Sequence, residues 1–154
     1  AVEPIPAGNN VILKPSEHTP STSNLVRSIV SEIFPENIFS VIEGDAGVAT
    51  ELLKLKWDYI FFTGSVKIGK IVAKAAAVNL TPTTLELGGK SPAIIDDTVN
   101  LKLVSKRIVW GKFLNSGQTC VAPDYVIVYD SVKDSLIKEL INSILEAFGS
   151  FQKI

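Results

Sequence analysis

Hydrophobic periodicity in this chain switches repeatedly between two residues and 3.6, and few folds tolerate that alternation. Segments apolar at every second position suit strands, and those apolar every 3.6 positions suit helices. Their regular succession is the pattern of an α/β protein with a doubly wound, mostly parallel sheet. A first strand is expected at residues 10–14, ending at Pro15-Ser16. A helix should open at Thr19-Pro20, with Thr19 as its cap and Pro20 at the first helical position. Its Leu25, Val26, Ile29, Val30 and Ile33 form one apolar stripe, and Pro35 stops it. Residues 38–42 read as a second strand, Glu43-Gly44-Asp45 as a turn and residues 46–55 as a helix. A third strand over 57–63 runs into Gly64-Ser65 and a helix over 66–77; a fourth over 83–87 is broken by Gly88-Gly89. This succession is a Rossmann-like nucleotide-binding arrangement. Beyond it come a strand at 91–96, a helix at 101–114, a strand at 124–129 and a helix at 132–148 with Leu136, Leu140, Ile144 and Phe148 on one face. A soft boundary is expected near Gly88-Gly89-Lys90, dividing residues 1–89 from 90–154.

Composition narrows the class. Of 154 residues, 46% are hydrophobic and 20% charged, with a net charge of -1, which is globular and offers no basic stripe for nucleic acid or anionic membrane. The apolar run Tyr59-Ile60-Phe61-Phe62 is far short of the ~20 residues that span a bilayer, and residues 1–10 do not read as a secretory signal. A single cysteine with a single histidine makes neither an internal disulfide nor a closed zinc site, so no metal is expected and a reduced cytoplasm fits best. Neither end reads as finished, since Ala1 stands where an initiator Met would and no cap follows Gly149; the expectation is a fragment.

Four stretches carry candidate chemistry, each beside a plainer reading. In FFTGSVKIGK a strand meets a helix at Gly64-Ser65, where free N–H groups and the helix dipole suit a pyrophosphate; Gly69, one turn on, removes a side chain from the packing face. The spacing misses both the G-x-G-x-x-G fingerprint and the P-loop, and an ordinary βα turn would also need one glycine. In LKPSE, Lys14 and Glu17 can grip the two hydroxyls of a ribose, or form a solvated surface pair. In LELGGK, Glu86 lies between Leu85 and Leu87; burial would raise its pKa toward general-base range, whereas an edge strand would leave it facing water. In NSGQTCVAPDY, Cys120 is either an inert packed thiol or a nucleophile held out by the polar Gly117-Gln118-Thr119 turn, with Pro123 blocking a helix downstream. His18 follows a different strand, so a Cys-His pair is not expected.

These stretches, GNNVILKPSE, FTGS with IG after it, LELGGKSP and NSGQTC, stand in an order that resembles the NAD(P)-dependent aldehyde dehydrogenase superfamily. The resemblance covers essentially the whole chain, and VAPDY is similar to the class 3 branch, whose members act on long-chain, medium-chain or aromatic aldehydes. It implies that Cys120 attacks the aldehyde carbonyl, that its backbone N–H serves the oxyanion, and that Glu86 activates the water that hydrolyses the thioester. It implies further that Lys14 and Glu17 hold the adenosine ribose, that Gly64, Ser65 and Gly69 frame the pyrophosphate turn, and that Leu87 belongs to the cofactor-binding set. The cofactor is NAD or NADP; Glu17 repels a 2′-phosphate unless it swings aside.

Family features outside these four motifs include an upstream asparagine for the oxyanion, a downstream Glu-x-Phe-Gly-Pro motif and an oligomerisation arm. None is found in these residues, so the isolated chain is expected to be inactive or nearly so, and the parent a homodimer, cytoplasmic or held to a membrane by a tail. Two other functions fit the residues. One is an acylating dehydrogenase that passes the thioester to coenzyme A; the other is a non-catalytic dinucleotide-binding redox sensor.

Overall fold

The computed structural model describes Ile5 and residues 7–150. The expected alternation is realised as β1 (Val11–Leu13), α1 (Pro20–Ile33), β2 (Phe39–Val41), α2 (Ala46–Leu53), β3 (Ile60–Thr63), α3 (Val66–Val78), β4 (Thr83–Glu86), β5 (Ser91–Ile95), α4 (Leu101–Phe113), a 3₁₀ turn (Leu114–Gly117), β6 (Pro123–Val128) and α5 (Asp130–Phe148). The class is α/β. Strands bond two by two, β1 with β2, β3 with β4 and β5 with β6. The first and last pairs are parallel, with Val11 opposite Phe39 and Ile94 opposite Ile127. Parallel neighbours need a long crossover, which α1 and α4 supply.

The described residues fall into two compact units, one running to Ile60 and including Val72–Pro82, the other comprising Phe61–Ile71 and everything from Thr83. In the first unit, Phe39 of β2 is buried and its ring stands 5.6 Å from that of Phe34. Val30 is buried too and Val26 is half-buried, but the other three residues of the expected stripe, Leu25, Ile29 and Ile33, are exposed in this chain. Thr19 does not cap α1. Its φ of -128° and ψ of 60° turn the hydroxyl away from the helix, 3.5 Å from the Ser16 carbonyl. Asp45 does cap α2, its Oδ1 accepting from the N–H groups of Gly47 at 2.8 Å and Val48 at 3.3 Å.

β3 begins three residues later than its periodicity predicts, because Trp57 is engaged elsewhere. Its indole N–H donates to the Leu52 carbonyl at 2.7 Å, closing the end of α2, and its own carbonyl accepts from the Thr81 hydroxyl at 2.9 Å. In the second unit α4 packs on α5 through small or branched side chains, with Ser105, Val109, Leu136 and Ser143 buried. Ser105 is fully enclosed at 0% exposure, so the two backbones approach where a larger residue would hold them apart. At the far end of that contact the Phe113 and Phe148 rings meet at 5.2 Å. Asn100 caps α4 by accepting from Leu103 N–H at 3.0 Å.

Candidate active site

Functional groups in open α/β folds gather beyond the carboxyl ends of strands. In the first unit those ends enclose a shallow cavity of about 230 Å³ lined by Pro15, Ser16, Glu17, Glu43, Gly44 and Asp45 among others. Lys14 bonds to three of these lining residues. Its ammonium donates to the carbonyls of Pro15 and Gly44, both at 2.8 Å, and to Glu17 Oε2 at 3.4 Å. Lys14 thus ties the loop after β1 to the loop after β2 and steadies Glu17. The Glu17 carboxyl is held below its ordinary 4.5 by its own backbone N–H first, with desolvation opposing and the Lys14 charge adding. Glu17 is an exposed acceptor on the cavity rim.

In the second unit β3 passes into α3 through Gly64 and Ser65. Gly64 N–H donates to the Glu86 carbonyl at 3.0 Å, which joins the ends of β3 and β4. A Cβ on Gly64 would stand 2.6 Å from the Phe62 ring, so only glycine makes this corner without displacing Phe62. The Ser65 hydroxyl accepts from Ile68 N–H at 3.3 Å, which caps the helix and leaves its own proton free for an acceptor. A Cβ on Gly69 would stand 2.7 Å from Leu87 Cδ2, so the missing side chain lets Leu87 lie across the first turn of α3. The structure therefore brings Gly64, Ser65, Gly69 and Leu87 together at one helix start.

Glu86 ends β4 and is exposed, while Leu85 and Leu87 on either side are half-buried. The burial expected of a strand interior is absent around it in this chain, because strand alternation turns it to the open face. Cys120 is a free, exposed thiol. It sits in a turn closed by Ala122 N–H on the Thr119 carbonyl at 3.0 Å. Before it, Asn115, Ser116 and Gly117 take left-handed φ values of 51°, 56° and 76° in succession. Two of the three carry side chains, so the segment is strained and must be held. A reciprocal clasp holds it: Asn115 Nδ2 donates to the Gln118 carbonyl and Gln118 Nε2 to the Asn115 carbonyl, each at 3.3 Å.

Gly89 joins these two segments. A Cβ built on it would collide with the carbonyl oxygen of Cys120, so the backbone three residues past Glu86 lies directly against the backbone of the cysteine. Sequence reasoning saw Gly88-Gly89 as the break of a strand and missed this close approach, although a glycine at a strand end is its ordinary signal. It also missed Lys90 and Asp124, whose side chains meet at 3.0 Å across the same junction. Among the described residues no cluster of His, Cys, Asp and Glu could hold a metal, and no helix is long and apolar enough to cross a membrane.

Residues 1–148 match the aldehyde dehydrogenase family. Among relatives, the 4,4'-diaponeurosporen-aldehyde dehydrogenase of Staphylococcus aureus is 52% identical over 145 residues, which is 94% of this chain and 32% of the relative. The dimeric NADP-preferring aldehyde dehydrogenase of Rattus norvegicus is 45% identical over 149 residues, covering 97% of this chain and 33% of the relative. A solved structure of Staphylococcus aureus AldH in its substrate-bound state superposes with a TM-score of 0.90 at 51% identity, over 94% of this chain and 31% of that one. The chain spans about a third of the length of the relatives it matches. The match runs through both units, at high identity and with a closely similar backbone, and the chain belongs to the aldehyde dehydrogenase family.

Proposed function

We propose that this chain carries the nucleophile and the general base of an enzyme that oxidises aldehydes to carboxylic acids with NAD or NADP. The observation that supports this most is the contact of Gly89 with the Cys120 carbonyl, which leaves an exposed thiol and an exposed carboxylate on two abutting segments. Cys120 Sγ attacks the aldehyde carbon, and the backbone N–H of Cys120 donates to the oxygen that gains charge. Bound nicotinamide supplies the hydride acceptor for the thiohemiacetal carbon. A thioester is left on Cys120. Glu86 takes a proton from water, the hydroxide adds to the thioester, the C–S bond breaks and the acid departs with the thiol restored.

The residues fit the cofactor in two places. Gly64 and the Ser65-capped start of α3 suit a pyrophosphate, with Gly69 letting Leu87 close over the turn. Glu17, steadied by Lys14 beside a cavity of about 230 Å³, suits a ribose hydroxyl. On this reading the cofactor-binding part ends near Gly89 and the catalytic part begins at Lys90. The substrate is a long-chain, medium-chain or aromatic aldehyde, a reading supported by the similarity to a diaponeurosporen-aldehyde dehydrogenase. The whole protein is a homodimer in the cytoplasm; the dimeric rat relative supports the first part.

The test is direct. The whole protein is mixed with aldehyde and NAD or NADP, quenched in acid within one turnover and digested. The peptide bearing Cys120 is expected to gain the mass of the acyl group. Cofactor reduction without that adduct would refute the thioester. Binding of cofactor with no reduction would favour the redox sensor, and an acyl-coenzyme A product would favour the acylating enzyme.

A further inference from the structure

Asp124 stands out on backbone grounds first. β5 and β6 run parallel with Ser91 opposite Pro123 and then Pro92 opposite Tyr125, so Asp124 is an extra residue with no partner on β5. A residue bulged out of a ladder has its side chain re-aimed, and such bulges favour active-site margins. Here the side chain is aimed at two lysines. Its Oδ2 lies 3.0 Å from Lys90 Nζ and its Oδ1 3.9 Å from Lys112 Nζ.

Each lysine belongs to one of the two segments that must meet. Lys90 follows Gly89, whose backbone lies on the Cys120 carbonyl. Lys112 sits in the last turn of α4, and its carbonyl oxygen is 3.0 Å from where a Cβ on Gly117 would be, so it backs the left-handed segment that leads to the cysteine. We propose that Asp124 is a positioning residue, its carboxylate shared between Lys90 and Lys112 so as to fix the end of the Glu86 segment against the Cys120 loop. The inference rests on the catalytic reading above. It assigns Asp124 a geometric task and no large share of stability, because Lys90 is 82% exposed and exposed ion pairs contribute little to folding. What the pair fixes is the reach of Glu86 to a water beside the acylated sulfur. Acylation needs only the thiol and should be spared.

The test uses the whole protein with 4-nitrophenyl acetate and no cofactor. Cys120 Sγ adds to the ester carbonyl and expels 4-nitrophenolate; water then cleaves the C–S bond and releases acetate. The burst reads acylation, and the slow phase reads hydrolysis. Asp124→Asn and Lys90→Met are each expected to keep the burst and the melting temperature while the slow phase falls about ten-fold or more. The double variant should be no slower than either single one, since both remove the same tie. Hydroxylamine, which attacks the thioester without a base, should restore turnover in all three. Lys106→Met breaks a different exposed pair, the one 2.9 Å long to Glu146, and should leave the slow phase unchanged. A slow phase within about two-fold of the unsubstituted protein in Asp124→Asn, or additive losses in the double variant, overturns the proposal. If Asp124→Asn melts early, Lys90→Met decides alone. No burst in the unsubstituted protein would sink the catalytic reading and this one with it, whereas a burst with an unaltered slow phase sinks only this one.

Discussion

Cys120→Ala in the whole protein is expected to lower aldehyde-dependent formation of reduced cofactor by at least about 10³-fold, because nothing else in the described site can form the covalent intermediate. Among the described residues, Ser116 and Thr119 have no hydrogen-bonded base to make an alkoxide. The surroundings of the thiol suit the proposed attack. It stands exposed in a short turn, after a clasped left-handed segment that fixes the direction of approach. Cofactor binding should persist in this variant, since Gly64, Ser65, Lys14 and Glu17 do not depend on the sulfur. Steady-state absorbance of the reduced cofactor, together with cofactor titration by fluorescence, checks both halves. Turnover within ten-fold of the unsubstituted protein, taken as roughly 1.4 kcal/mol of barrier, would remove Cys120 from the mechanism.

Glu86→Gln should separate the two halves of the reaction. Attack by the thiol and transfer of hydride need no base on water, so one equivalent of reduced cofactor is expected to appear at close to the normal rate. Hydrolysis of the thioester then loses its proton acceptor, and the steady state should fall about 10²- to 10⁴-fold. Glutamine keeps the size and one acceptor oxygen, so β4 and the Gly64 N–H bond to the residue 86 carbonyl should survive. Stopped-flow absorbance resolves the burst from the steady phase. If both phases were unchanged, the water would be activated by another group. If the burst itself vanished, Glu86 would act before the thioester forms, on the thiol.

The order of elements was legible because periodicity is a local property. α5 is the clear case, with Leu136 buried and Leu140 and Ile144 half-buried on the expected face. Errors arose where a side chain answered to something distant. Trp57 has strand-like character but its indole reaches back to Leu52, and Thr19 turns its hydroxyl to Ser16 rather than to its own helix. The face of β4 was ambiguous for a related reason. Alternation says that Glu86 and its leucine neighbours point opposite ways, not which side is covered, and in this chain Glu86 is on the open one. Gly64 and Gly69 signal tight packing by type alone, while the partners of Gly89 and Asp124 lie far along the chain and are set by the parallel pairing of β5 with β6.

Gly88 and Gly89 are adjacent and identical in the sequence, yet they face opposite steric constraints. A methyl group on Gly88 would enter open space in this chain, and its backbone is not in the left-handed region, so alanine there meets neither a clash nor strain. At position 89 the smallest addition strikes the main chain of Cys120, which no rotamer can relieve. Any side chain at 89 would have to push the two main-chain segments apart.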